Sequence, residues 1–390
     1  MYKLMKRIFT TFILAAASLF TMAAMAIAIQ NAESLEKDSL IVHEWGTFTT
    51  LSGADGTQHR WNPLIGPSEL PRFVYGRNNQ RQGNCPKCNL TLARMETPVL
   101  YFYAGREMEL SVKVNFPQGT ITEWYPEALA TNAGIDWGRL KVIPGAPENF
   151  PIENRKSHYY PARETDAAPV RVTSDKKSED ERFLFYRGIG DFSLPLTIRL
   201  SGNQVIVRNT TGHEIPQVIL FENRAGQSGW TFANSLRDEV VLTRPTLGQP
   251  VESLNCRLEE MLIGQGLYKK EARAMIKTWQ DSWFEEGVRV YYLVPRKVTD
   301  ALLPITIRPY PQEITRVFVG RAEIITPEIE KEIQHAARQY IAGSYEEHNE
   351  ALKTVKRYGR FAEPILREMM NRERSPAIWK LLLSGVSASD

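Results

Sequence analysis

Short alternating runs of hydrophobic and polar residues dominate residues 39–246. These runs are rich in β-branched and aromatic residues and are bounded by Gly, Pro, Asn and Asp, which is typical of strands separated by turns. Segments 98–103 and 110–116 are two such strands, and we expect them to pair through the turn between them. Segments 196–200 and 205–208 predict a hairpin around a Gly-containing turn. This pattern favours an antiparallel sandwich or barrel.

Helical periodicity appears later in the chain. Apolar residues recur every three or four positions across 254–262 and 268–283, which predicts a helical hairpin over 253–283 inserted into the β region. Strand patterns resume near 288, and from Thr326 the pattern is helical again. Thr326-Pro327-Glu328 combines a capping residue, a proline at the first helical position and an early acid.

Together these patterns predict an α+β fold that is mainly antiparallel β, with a helical hairpin insertion and a C-terminal helical appendage. We divide the chain into an N-terminal signal at 1–28, a β-rich domain at 39–325 and the helical appendage at 326–385. Amphipathic stripes usually face a core, so we expect the appendage to dock onto the β-rich domain.

The N-terminus has the pattern of an export signal. Lys3, Lys6 and Arg7 precede an apolar and small-residue run from residue 8 to residue 28 that ends in Ala26-Ile27-Ala28. The small-x-small triplet favours cleavage, which predicts a periplasmic or secreted protein. The run is also long enough to span a bilayer, so an uncleaved anchor in the inner membrane is the alternative. We expect contact with a membrane only through this segment.

The overall charge gives no support for nucleic-acid binding. The 48 basic and 45 acidic residues leave a formal charge of +3, and no segment concentrates positive charge into a patch that would attract phosphates. We therefore predict no nucleic-acid partner.

The first strand of the β region begins with Val42-His43-Glu44-Trp45-Gly46-Thr47-Phe48. At this point the sequence resembles a group of uncharacterised exported bacterial proteins whose mature domain starts with the same His-Glu-Trp-Gly-Thr-Phe signature. The resemblance continues through segments 95–99, 183–188, 281–287 and 320–321. That group has no established activity, so the resemblance implies a lineage and no functional residues.

The histidines allow two interpretations. Alternation places His43 and Trp45 on one face of their strand, where a buried, hydrogen-bonded histidine is the ordinary structural expectation. The functional alternative is a zinc or other divalent metal site, with His43, His59 and His213 as candidate ligands. Their spacing matches no metal-binding motif. We therefore expect either no cofactor or a zinc or other divalent metal ion bound by these histidines.

The cysteines also allow more than one interpretation. Cys85-Pro86-Lys87-Cys88 has the spacing of a redox pair but no βαβ context. In an exported protein we favour a short-range disulfide between Cys85 and Cys88 that pins a loop. Cys256 is then predicted to be a buried free thiol, although a bridge from Cys88 to Cys256 is an alternative.

Carboxylates among aromatic residues are the remaining candidates for chemistry. Glu96, Glu123 and Asp281 are candidate catalytic acids, because sugar-cleaving sites combine paired carboxylates with aromatic platforms. The structural alternative is that these acids occupy turns and ion pairs. Arg187, for example, could pair with a buried Glu such as Glu96.

These observations leave three functional hypotheses. The first is an exported cell-envelope protein that binds an envelope or extracellular protein or glycan, or that has a structural role. The second is an extracytoplasmic hydrolase that uses a histidine metal site or paired carboxylates. The third is a thiol oxidoreductase acting through Cys85 and Cys88. The sequence favours the first, because no group of candidate residues has the full pattern of a catalytic site.

Overall fold

The computed structural model of the protein describes residues 39–62, 70–76, 90–131, 133–175 and 177–386. The predicted signal at 1–28 and the predicted Cys85–Cys88 disulfide lie outside the described residues. Within the described residues, no helix combines the length and the apolar character needed to cross a membrane.

The largest element is a nine-stranded sheet. Its central strand, β1 (Leu40–Gly53), pairs antiparallel with β3 (Ala93–Ala104) and parallel with β18 (Glu313–Ile325). The remaining strands of this sheet are β2 (Tyr75–Gly76), β5 (Gly119–Tyr125), β10 (Leu184–Gly190), β13 (Val218–Arg224), β14 (Gln227–Ala233) and β16 (Gly287–Leu293). The spatial order is β14-β13-β16-β18-β1-β3-β10-β5-β2.

Two smaller sheets complete the β structure. Their strands are β4 (Met108–Asn115), β6 (Leu129–Thr131), β7 (Gly134–Val142), β8 (Val170–Thr173), β9 (Ser178–Glu181), β11 (Leu196–Ser201), β12 (Gln204–Asn209), β15 (Glu239–Thr243) and β17 (Ile305–Arg308). A six-stranded sheet has the path β17-β4-β7-β8-β9, with β6 paired to β7, and a three-stranded sheet has the order β11-β12-β15.

The seven α-helices of the described residues fall into three groups. A hairpin is formed by α1 (Val251–Ile263) and α2 (Lys269–Trp283), and a short helix, α3 (Arg296–Leu302), follows β16. The chain then ends in α4 (Pro327–Ala342), α5 (Tyr345–Tyr358), α6 (Ala362–Glu373) and α7 (Pro376–Val386). A 3₁₀ turn, Gly359–Phe361, joins α5 to α6, and a second 3₁₀ turn, Tyr160–Arg163, lies between β7 and β8.

Three hydrophobic cores hold these layers together. The first core contains Phe48, Leu100 and Val112, and it lies between the inner face of the nine-stranded sheet and the smaller sheets. The second fills the space between the outer face of the large sheet and helices α1 and α2, and it contains Trp45 and Trp279. The third joins the C-terminal helices to the ends of β1 and β18.

The predicted α+β class, mainly antiparallel with a helical hairpin insertion and C-terminal helices, is confirmed. The hairpin of β11 and β12 also forms as predicted, around Gly202 and Asn203. The expected pairing of segments 98–103 and 110–116 is wrong. The first belongs to β3 of the large sheet and the second to β4 of the six-stranded sheet, so the turn between them carries the chain from one layer to the other.

The prediction of a buried Cys256 is also wrong, because its side chain is exposed. Helix α1 buries Leu254, Leu258, Met261 and Leu262. Position 256 lies two residues from Leu254 and therefore about 200° around the helix, on the opposite side.

Candidate functional site

His43 lies on the outer face of β1, against the start of helix α2. Its Nδ1 atom is 2.8 Å from Oε2 of Glu271, and both side chains are buried. The hydroxyl of Tyr103 donates to the other carboxylate oxygen at 2.8 Å, and the backbone N–H of Tyr268 donates to Oε2 at 2.7 Å. Burial, together with the charge of Glu271, raises the pKa of Tyr103 far above its ordinary value, so the phenol stays a donor.

The second ring nitrogen of His43 is not satisfied. Nε2 is buried and has no hydrogen-bond partner in the described part of the chain. The ring of Tyr268 packs over the imidazole, with the two centroids 4.5 Å apart, and Tyr103 contacts it edge-on at 5.4 Å. We expected both ring nitrogens of His43 to have hydrogen-bond partners within the fold, but only Nδ1 has one among the described residues.

The three candidate metal ligands have separate surroundings. His59 lies beside Asp55. Hydrogen bonds from Thr57 are the main cause that lowers the pKa of the Asp55 carboxyl, and the neighbouring His59 contributes least. His213 lies on an exposed loop after β12. Among the residues that the structure describes, no three His, Cys, Asp or Glu side chains form a group that could hold a metal ion.

Glu96 and Glu123 do come together on one face of the large sheet, on either side of Arg187. Gly188 of β10 pairs with Met95 of β3, so the preceding residue of β10, Arg187, lies beside Glu96 of β3. On the other side of β10, Arg187 pairs directly with Glu123 of β5. We call Glu96, Arg187 and Glu123 the carboxylate row. All three side chains are buried. The third candidate, Asp281 on helix α2, instead pairs with His158, whose Nε2 atom lies 2.8 Å from Oδ2 of the aspartate.

Two β-bulges create the carboxylate row. Between β1 and β3, Trp45 pairs with Val99 but Thr47 pairs with Glu96, so β3 contains one extra residue. Between β10 and β5, Arg187 pairs with Glu123 and Gly188 with Ile121, so β5 also contains an extra residue. Each bulge reverses the alternation of its strand. Without them both carboxylates would point into the inner core.

Glu96 is incompletely paired within the row. One of its oxygens lies 3.4 Å from Nη1 of Arg94, and the other has no hydrogen-bond partner among the described residues. The hydroxyl of Thr47, on the residue opposite Glu96, is likewise without a partner there. The Arg187 guanidinium contacts the hydroxyl of Thr97, with Nη2 3.5 Å from Oγ1.

An accessible groove lies at another edge of the molecule. Two cavities of about 280 and 540 Å³ share His213 and Lys297 in their walls, and we call them together the His213–Lys297 groove. Both of these side chains are exposed, and within the described residues neither forms an ion pair or a side-chain hydrogen bond. The combined size is in the range of ligand-binding pockets.

Arg316 of β18 lines this groove and links it to the core. Its guanidinium binds Glu44 of β1 and, at 2.8 Å, Asp300 of helix α3. Strand β16 ends at Leu293, which pairs with Val319. The edge of β18 that faces β16 therefore has no described strand beside it before residue 318. Arg296 donates a hydrogen bond to the carbonyl of Ile314 on this strand.

Sequence reasoning missed Glu271, Arg316 and Lys297. Glu271 had a local signal, because it lies three residues after the N-cap of α2 and completes a capping box with Tyr268. Tyr268 is an unusual N-cap residue, which hid the pattern. Arg316 and Lys297 had no such signal, because their partners and neighbours come from distant parts of the chain.

Comparison with protein families finds no family whose model matches this chain, and comparison with curated proteins finds no match. Among solved structures, the chain is similar to an Fcho1 Mu homology domain from Danio rerio with bound Eps15 peptide, at 7% identity and a TM-score of 0.29, over 74% of this chain and 99% of that one.

It is also similar to a yeast delta-COP-I mu-homology domain, at 8% identity and a TM-score of 0.28, over 74% of this chain and 98% of that chain. The same yeast domain complexed with Dsl1 WxWxV peptide gives 8% identity, a TM-score of 0.29 and the same two coverages. Similarity at this level does not assign a shared function.

Proposed function

We propose that this chain is an exported cell-envelope protein that binds an acidic, extended segment of an envelope or extracellular protein in the His213–Lys297 groove. The observation that carries the proposal is that Lys297 and His213 stand exposed in the walls of both cavities without intramolecular partners. A cation already paired within the protein would gain little from a ligand, whereas an unpaired one can bind a carboxylate.

The unpaired edge of β18 favours a peptide as the ligand. Extended peptides bind at free strand edges through backbone hydrogen bonds, with side-chain pockets giving specificity. Here Arg316 of this strand and the cationic residues Arg296 and Lys297 line the same cavity. An acidic peptide would therefore match both the backbone edge and the charge of the groove.

Fluorescence anisotropy with labelled oligoglutamate tests this proposal. We expect binding that weakens with salt, because charge contacts are screened, and that is reduced in Lys297→Glu. Lys331→Glu, an exposed change on helix α4, is the matched control and should bind like wild type. Binding of polygalacturonate without binding of oligoglutamate would replace the peptide with a glycan. Equal binding of oligoglutamate and oligolysine would remove the groove from consideration.

Export is tested separately, by fractionating bacteria that express the full chain and a variant that lacks residues 1–28. We expect the full chain in the periplasm or medium, shortened near residue 28. A full-length product in the membrane fraction would instead support an anchor formed by residues 8–28. A cytoplasmic full-length product would contradict the export proposal.

The carboxylate row favours hydrolysis of glycosides as a second candidate function. Bulges often re-aim side chains beside active sites, and here two of them aim carboxylates at one face. Release of nitrophenol from a panel of aryl glycosides would be measured for wild type, Glu96→Gln and Glu123→Gln. Activity lost in both variants and kept in Glu109→Gln, an exposed acid of β4, would support this function, and activity unchanged in the two row variants would exclude it.

A further inference from the structure

The contacts of Glu271 fix the tautomer of His43. The carboxylate accepts hydrogen bonds from the Tyr103 hydroxyl, from the Tyr268 backbone and from His43. An ionised carboxylate only accepts, so the shared proton is on Nδ1 of His43. The Nε2 atom of a neutral imidazole then carries a lone pair and is able to accept a proton.

This lone pair is buried without a donor among the described residues. Buried polar atoms that lack partners generally have a functional reason or a missing ligand. Among the described residues no donor reaches Nε2, whereas Glu271 is fully bonded. The pair therefore combines a firmly held orienting carboxylate with an unused base.

Tyr268 is the cover over this base. Its ring lies 4.5 Å from the His43 ring, centroid to centroid, yet 44% of the tyrosine is exposed to solvent. The Tyr268 side chain therefore contacts both the imidazole and the solvent. Gly266, two residues earlier, has a φ of +99°, a conformation that glycine adopts easily.

We propose that His43 is a general base for hydrolysis of small acyl esters, with Glu271 as its positioning residue and Tyr268 as a movable cover. Water gives a proton to Nε2 as its oxygen bonds to the acyl carbon, and the C–O bond to the alcohol then breaks. The proton on Nε2 passes to the departing alkoxide. The products are a carboxylic acid and an alcohol, and His43 returns to its starting state.

The surroundings of His43 favour an ester over a phosphate or an amide. The groups in contact with the imidazole are two aromatic rings and a carboxylate, which attract an apolar acyl group and repel an anion. No described cation contacts the ring to hold a phosphate. An ester needs less help to expel its leaving group than an amide does, so a single base suffices.

Hydrolysis of p-nitrophenyl acetate by the purified chain tests the proposal. We expect the rate above the buffer background to fall roughly a hundredfold in His43→Gln and to rise in Tyr268→Ala. His335→Gln, an exposed histidine of helix α4, is the control and should match wild type. An unchanged rate in His43→Gln would overturn the proposal.

Nitrogen NMR of the His43 ring gives a second readout that does not depend on turnover or on stable variants. In wild type we expect a protonated Nδ1 and an unprotonated Nε2. Glu271→Gln should mix the two tautomers, because an amide can either donate or accept, and should lower the ester rate in parallel. A wild-type spectrum with the proton on Nε2 would also overturn the proposal. None of these results depends on whether the His213–Lys297 groove binds a peptide.

Discussion

Arg316 holds Glu44 in a fully buried ion pair that joins strand β18 to strand β1. Both side chains are inaccessible to solvent, and the Tyr186 hydroxyl donates to the second oxygen of Glu44 at 2.5 Å. The two charged residues are 272 positions apart in the chain. Because β1 and β18 are the central parallel pair of the large sheet, this contact fixes the first and last strands of the β region against each other.

Glu44→Ala should strongly destabilise the protein. It leaves the Arg316 guanidinium buried with only Asp300, whose side chain is partly exposed. Removing one partner of a buried pair typically costs about 3–5 kcal/mol. Asp300→Ala is the matched control and should cost about 1 kcal/mol or less, because its carboxylate is solvated. Urea unfolding followed by tryptophan fluorescence measures both changes, and equal losses would contradict this account.

Gly320→Ala should also destabilise the large sheet. A Cβ atom at residue 320 would overlap the ring of Tyr292, which is fully buried on the neighbouring strand. Overpacking of this kind costs about 1–3 kcal/mol. Gly212→Ala is the control, since a Cβ there meets no atom within 4 Å. Thermal unfolding should separate the two variants, and a stable Gly320→Ala would show that Tyr292 can move.

Some contacts of this fold are encoded within a few residues, and others arise only from the tertiary fold. The hairpin around Gly202 and Asn203 is encoded within a few residues, and its prediction holds. The pairing of β1 with β18 and the contact of His43 with Glu271, 228 positions away, depend on the tertiary fold. Periodicity reports which residues share a face and says nothing about which distant element covers that face.

The bulges show a second limit of sequence reasoning. Simple alternation along β3 from Val99 places Glu96 on the inner face, and alternation along β5 places Glu123 with Ile121. In the structure both face outward, because each strand contains one extra residue. The residue types correctly marked these carboxylates as candidates, but the extra residues that bring them to one face have no clear signature in a single sequence.

Low pH should weaken the docking of the C-terminal helices through Glu285. Its carboxylate binds Arg321 of β18 at 2.8 Å and Arg360 of the 3₁₀ turn at 2.5 Å. Burial acts to raise the pKa of Glu285, but Arg360 and Arg321 outweigh it and the pKa lies below its ordinary value. A lowered carboxyl pKa stabilises the folded state above the unfolded pKa, and this contribution disappears as the pH falls through the folded pKa.

The measurement is the pH dependence of thermal unfolding for wild type and Glu285→Gln. Wild type should lose stability as the pH falls below about 4.5, and the variant should be less stable at neutral pH with a smaller acid loss. Glu368→Gln, an exposed acid on helix α6, is the control and should follow wild type. Parallel curves for wild type and Glu285→Gln would assign the acid sensitivity to other carboxyls.

Cys256 should react with a maleimide in the folded protein. Its side chain is exposed on helix α1, whereas Leu258 of the same helix is completely buried. In a Cys85→Ser, Cys88→Ser background, we expect Cys256 to be labelled as fast in native buffer as in urea. Leu258→Cys with Cys256→Ser is the matched control, and its labelling should be limited by unfolding.

Cys256→Ser should change the free energy of unfolding by about 0.5 kcal/mol or less, because the site is on the surface. Slow native labelling of Cys256 would mean that this face of α1 is covered, and would place the thiol in contact with another part of the chain.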